Sequence, residues 1–128
     1  MSKTKCRVLY ADDHDDSAEM LKLLLAPMDY EVVAAGTLDE ALGLARTQRF
    51  DLYVLDKRLP DGSGLELCKQ LHKMSPTVPC IFYTGDAYEV HRREAEEAGA
   101  DAYVPKPDVD ALLETVQKFL AKSECAAA

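Results

Sequence analysis

Three acids, a hydroxyl and an ammonium stand out because each follows directly on a short apolar run: Asp12 and Asp13 after Val8-Leu-Tyr-Ala11, Asp56 after Leu52-Tyr-Val-Leu55, Thr84 within Cys80-Ile-Phe-Tyr-Thr84, and Lys106 after Ala102-Tyr-Val-Pro105. Brought together, three carboxylates repel one another and repel phosphate, and a hard divalent cation relieves both conflicts. Mg²⁺ takes about six oxygen ligands, usually one or two carboxylates with waters and phosphate oxygens. Asp13 and Asp56 then serve as direct ligands, Asp12 binds directly or through water, and the backbone carbonyl of Arg58 is a further candidate. With the cation in place a phosphoryl group can approach, and Asp56 can act as a carboxylate nucleophile. Such a transfer needs positioning and charge neutralisation more than covalent chemistry. Lys106 offers a mobile point charge and Thr84 a hydroxyl donor. Each residue also has a plainer reading alone: a strand-ending Asp serves as a helix cap, Thr84 as a turn residue, Lys106 as solvated surface.

The elements that must position these groups alternate in type. Arg7–Ala11, Tyr30–Ala35, Phe50–Asp56, Cys80–Thr84 and Ala102–Val104 read as strands. Helical spacing falls between them: Ala18, Leu21, Leu25 and Met28; Leu38, Ala41, Leu42 and Ala45; Leu67, Leu71 and Met74; a charged, weakly amphipathic stretch over 86–98; and Val109, Leu112, Leu113, Val116 and Leu120. Pro27 marks the last turn of the first helix. Thr37 and Glu40 form a capping-box pair, Gly64 opens the third helix, Gly99 closes the fourth and Asp108 caps the last. Five βα units without a linker predict one α/β domain, a parallel sheet with helices on both faces. The strand carboxyl ends of such a sheet share one rim, where ligands bind. A dinucleotide-binding fold would open its first helix with a glycine-rich loop; here that position holds Asp12-Asp13-His14-Asp15-Asp16. Asp15, Asp16, Asp61 and Asp86 read as loop or first-turn acids favoured by the helix dipole. His14, His72 and His91 fall at no metal-ligand spacing and read as surface side chains.

Composition bounds the answer. The 128 residues carry 48% apolar and 30% charged side chains, the balance of a soluble globular domain. A formal net charge of -8 argues against a nucleic-acid surface on this domain. No apolar run approaches the length of a membrane span, and the N-terminus lacks the apolar region of a secretory signal. Cys6, Cys68, Cys80 and Cys125 show no C-x-x-C spacing and read as four free thiols in a reducing, cytoplasmic setting. Residues 123–128 read as a frayed tail beyond a core of about 5–122.

Val8-Leu-Tyr-Ala-Asp12-Asp13, Val54-Leu-Asp56 with Leu59-Pro60 and Gly64, Tyr83-Thr84-Gly85, and Tyr103-Val-Pro-Lys106-Pro107, in this order, resemble the receiver domain of two-component response regulators across about residues 5–122. The resemblance implies a flavodoxin-like three-layer α/β/α fold with strand order 2-1-3-4-5. It implies Asp56 as phosphoacceptor, Asp12 and Asp13 with Asp56 as the Mg²⁺ pocket, Thr84 and Lys106 as phosphate-sensing residues, and Tyr103 as the aromatic that moves with the hydroxyl residue. The Lys106–Pro107 peptide is cis by the same analogy, an isomer X-Pro bonds allow. Tyr103 also has a packing role, as an aromatic set against the last helix.

The family usually places an apolar residue at position 57, where Lys57 either favours acidic donors and partners or points to water. Arg58 and Asp86 match positions flanking the path of the water that attacks the phosphoryl group, and an ion pair between them would prolong its lifetime. The implied function is a phosphorelay receiver. A histidine kinase or histidine phosphotransfer domain supplies the phosphoryl group and a downstream protein or output domain reads the change, with a phosphorylation-dependent dimer as one form of output. The domain is then a signalling phosphoacceptor rather than an enzyme with turnover. Two rivals differ in class. One is a degenerate receiver acting only as a protein-interaction module, against which the intact set of acids, Thr84 and Lys106 weighs. The other is an aspartyl phosphatase, against which Arg58 weighs, since such enzymes resemble a pattern with a second acid there. The Ala-rich end leaves open a stand-alone regulator or part of a larger protein.

Overall fold

The computed structural model describes residues 5–85 and 89–122, with residues 89–91 described in their backbone alone. Five parallel strands form the central sheet: β1 (Cys6–Ala11), β2 (Tyr30–Ala35), β3 (Leu52–Leu55), β6 (Cys80–Thr84) and β7 (Ala102–Pro105). They lie in the order β2-β1-β3-β6-β7, which is the anticipated 2-1-3-4-5 once a small ribbon, β4 (Arg58–Leu59) paired antiparallel with β5 (Gly62–Ser63), is set apart. Helices α1 (Asp15–Leu25), α2 (Leu38–Thr47), α3 (Gly64–Met74), α4 (Glu89–Glu97) and α5 (Val109–Leu120) connect them.

Side chains alternate across a strand, and the sequence of β1 divides accordingly. Val8 and Tyr10 enter a core shared with α1 and α5, while Leu9 and Ala11 enter a second core shared with α2, α3 and α4. Both faces are covered, which is why the strands read as unbroken apolar runs. The first helix stops earlier than its periodicity suggests. Pro27 lies in a 3₁₀ turn, Ala26–Met28, which closes on Asp29 in the left-handed region at φ 63. The caps expected on α2 and α5 form: Thr37 Oγ1 accepts the Glu40 N–H and Asp108 Oδ1 the Ala111 N–H, both at 3.0 Å. Glu40 returns its carboxylate to the Gly36 N–H at 2.7 Å. Gly99 closes α4 at φ +110, a conformation suited to glycine.

Two expectations change. Tyr103 does not face the last helix; it packs into the α2–α4 core, its ring centroid 6.3 Å from that of Phe82, while Ala102 and Val104 face α5. Strand parity dictates this, because 103 is the odd position of a short strand. Cys6 is disulfide-bonded rather than free, while Cys68 and Cys80 are free and buried. The segment after β3 carries the β4–β5 ribbon. The terminal segment 123–128 lies outside the described residues.

Candidate functional site

Register brings the rim residues level. Ala11 pairs with Leu55, so Asp12 and Asp56 leave adjacent strands side by side; Thr84 pairs with Pro105, so Lys106 leaves one step beyond Thr84. Asp12 and Asp56 are tied into the sheet edge by their own backbone N–H groups, which donate to Ala35 and Ala11 carbonyls at 3.0 and 2.8 Å. Asp12, Asp56 and Thr84 are all buried.

Lys106 closes the arrangement. Its Nζ donates to Asp12 Oδ2 at 2.7 Å and to Asp56 Oδ2 at 3.2 Å. Tyr10, two residues before Asp12 and therefore on the same face of β1, donates its buried hydroxyl to Asp12 Oδ2 at 2.7 Å. Burial works against ionisation of Asp12, but the Lys106 ammonium, the Tyr10 hydroxyl and His14 outweigh it and hold the carboxyl below its ordinary pKa. Lys106 likewise loses by burial and gains more from Asp12 and Asp56, so its pKa is raised. Burial, with the Asp12 carboxylate beside it, pushes the Tyr10 phenol far up, keeping it a neutral donor.

Asp13, Asp56, Arg58 and Thr84 line one cavity of about 540 Å³ at this rim. Arg58 lies in β4 with its backbone N–H 3.4 Å from Asp56 Oδ1. Gly64 permits the ribbon to fold back. Its N–H donates to the Lys57 carbonyl at 2.7 Å, and a Cβ there would run into the Asp56 carbonyl oxygen and lie 3.0 Å from Lys57 Cα.

The rim also holds His14, whose spacing in the sequence suggests a surface side chain. His14 Nδ1 stands 2.7 Å from Asp12 Oδ1 and 3.2 Å from Asp13 Oδ1, and its ligand atom lies within 4.8 Å of those of Asp12, Asp13 and Asp56. The Asp12 hydrogen bond and charge, with Asp13, raise its pKa. Spacing rules for metal ligands could not find it, since the partners come from two strand ends, those of β1 and β3; its adjacency to Asp12-Asp13 was the available signal. This donor set, carboxylates with one imidazole in a cavity open to solvent, fits a divalent cation.

Lys57 does not point to water. Its side chain is 11% exposed and its Nζ lies 3.5 Å from Glu94 Oε1 on α4. Tyr103 is not brought to the acid cavity; it lines a separate pocket with Arg92, Ala95 and Glu96 on the α4 side. Asp86, and with it the anticipated Arg58–Asp86 pair, lies outside the described residues.

Residues 8–117 match the family model for the response regulator receiver domain. Among curated proteins, the chain is 35% identical over 125 residues to the alkaline phosphatase synthesis transcriptional regulatory protein PhoP of Bacillus subtilis, covering 94% of this chain and 51% of that one. It is 37% identical over 120 residues to the transcriptional regulatory protein CreB of Escherichia coli, covering 88% and 52%. The chain thus spans about half the length of these curated relatives. Among solved structures, the non-phosphorylated HemR receiver domain of Leptospira biflexa superposes with a TM-score of 0.84 at 36% identity, covering 91% of this chain and 95% of that one. A CheY-like receiver domain protein of Methanospirillum hungatei gives 0.87 at 34% identity, covering 93% and 96%. Together with the flavodoxin-like strand order, these matches place the chain in the response regulator receiver domain family.

Proposed function

We propose that this domain is a phosphorelay receiver in which Asp56 accepts a phosphoryl group from a phosphohistidine of a histidine kinase or histidine phosphotransfer domain, in the cytoplasm. The observation that carries the reading is the Lys106 ammonium held on both Asp12 and Asp56 beside Asp13, at the carboxyl rim of the parallel sheet. An Asp56 carboxylate oxygen bonds to phosphorus as the phosphorus–nitrogen bond of the donor breaks and the imidazole departs. Asp12, Asp13 and Asp56 would hold Mg²⁺, with the Arg58 carbonyl as a further ligand; when bound, the cation neutralises phosphoryl oxygen charge.

Lys106 then exchanges its hold on Asp56 for a phosphoryl oxygen, and Thr84, buried on the same cavity, donates its hydroxyl to another. The Thr84 carbonyl already accepts the Lys106 backbone N–H at 2.8 Å, so movement at either residue is felt at the other. Tyr103, beside Phe82 and the α4 pocket, carries the change to the α4–β7–α5 surface as a shift between existing states. Lys57, paired with Glu94, links the residue after the acceptor to the same helix, and an Arg58–Asp86 pair would shield the acyl phosphate from water. The reader of that surface is a downstream protein, an output domain or a second copy of the domain. The net charge of -8 argues against nucleic-acid contact by this domain itself, so a transcriptional role of the kind the relatives' names carry would fall to such an output module.

Beryllofluoride, which mimics an aspartyl phosphate, tests the switch. With Mg²⁺ it should move amide resonances of Thr84, Tyr103 and α4. A spectrum unchanged at saturating beryllofluoride would overturn the proposal in favour of a phosphorylation-independent interaction module.

A further inference from the structure

We propose that His14 is a direct ligand of the cation in the acid cavity and shifts the site's preference from Mg²⁺ toward later first-row ions such as Co²⁺ and Ni²⁺. The inference rests on Asp12, Asp13 and Asp56 being the metal pocket, and it adds His14 to their ligand set.

The geometry supplies the reason. Ligand atoms on opposite sides of one ion, each about 2.1 Å away, are about 4.2 Å apart. The atoms offered by Asp12, Asp13, His14 and Asp56 all lie within 4.8 Å of one another, so a small closure places all four on one ion. His14 occupies the cap position of α1 in an extended conformation, φ -95 and ψ 106, and its side chain makes no cap hydrogen bond. The ring is therefore committed to the acids rather than to the helix. It is 66% exposed where the Asp12 side chain is fully buried, which puts it on the side from which an ion enters.

Chemistry then decides which ion gains. Carboxylate and water suit Mg²⁺, whereas imidazole suits later transition metals, whose affinities rise from Mn²⁺ through Co²⁺ to Ni²⁺. Replacing one oxygen donor by nitrogen leaves Mg²⁺ with little to gain and Co²⁺ with much.

A simpler role for His14, as an imidazolium that only neutralises Asp12 and Asp13, makes the opposite prediction, because its removal would then strengthen binding of every divalent cation. The test is titration of the native protein and His14→Gln with Co²⁺ and with Mg²⁺, together with proton NMR of the Co²⁺-bound forms. His14→Gln should weaken Co²⁺ binding by about tenfold or more and change Mg²⁺ binding by less than about twofold. A hyperfine-shifted, exchangeable imidazole N–H should appear in the native protein and in His72→Gln and His91→Gln, and vanish in His14→Gln. Unchanged or tighter Co²⁺ binding in His14→Gln, or an imidazole signal that persists there, overturns the proposal. Acetyl phosphate and Mg²⁺ applied to the same samples separate the two claims. Labelling of Asp56 without the imidazole signal sinks the role of His14 alone, while absence of divalent binding sinks the metal pocket with it.

Discussion

Asp61 accepts the Leu38 backbone N–H at 2.7 Å, so the turn that follows β3 is fastened to the start of α2. The second carboxylate oxygen takes the Asp39 N–H at 3.0 Å. Two donors that a helix N-terminus leaves unpaired are thereby satisfied from another element, 23 residues along the chain for Leu38. Gly62 belongs to the same contact, since a Cβ there would come 2.9 Å from Leu38 Cδ1.

The Leu38 and Asp39 N–H groups lower the Asp61 pKa below its ordinary 3.8. A depressed carboxyl pKa contributes stability that is present above the unfolded-state value and lost as pH falls through the folded value. The urea midpoint of the native protein should therefore decline more steeply below about pH 4 than that of Asp61→Asn, whose side chain cannot titrate. Parallel pH profiles for the two proteins would contradict this role.

Lys106 compensates a carboxylate with no exposed surface. Asp12 is 0% exposed in its side chain, and removing the ammonium leaves its charge with neutral donors and the solvent-side His14. Lys106→Met should lower stability by about 2 kcal/mol or more in urea denaturation, because stranding one member of a buried pair costs more than the pair contributes. Stability equal to native would mean that Asp12 is protonated or hydrated instead.

At Gly64 the constraint is space, since its φ is not positive and any residue could adopt the backbone. Gly64→Ala should cost about 2–3 kcal/mol, as insertion into packed structure does, and should impair phosphorylation because the displaced atoms are those of Asp56 and Lys57. Unchanged thermal stability would show that the ribbon relaxes freely.

Legibility in the sequence followed range. The five main strands, the caps at Thr37, Gly99 and Asp108, and the meeting of Asp12, Asp56 and Lys106 could be read because apolar period, cap chemistry and parallel topology act locally or by rule. The Lys106–Pro107 peptide is cis, as the resemblance implied. What could not be read depends on which distant side chain arrives at a given point. Lys57 finds Glu94 across 37 positions and Asp61 finds Leu38 across 23. Tyr10 was legible as core, but its hydroxyl bond to Asp12 required counting strand parity to the end of β1. The same count puts Tyr103 on the Phe82 side of the sheet, away from α5.

The central claim, that Asp56 is the phosphoacceptor, is tested most directly by intact mass after incubation with acetyl phosphate, with and without Mg²⁺, for the native protein and Asp56→Asn. The account predicts a Mg²⁺-dependent gain of one phosphoryl group in the native protein and none in the variant. A gain that persists in Asp56→Asn, or no gain in the native protein from either acetyl phosphate or a phosphohistidine donor, would contradict it.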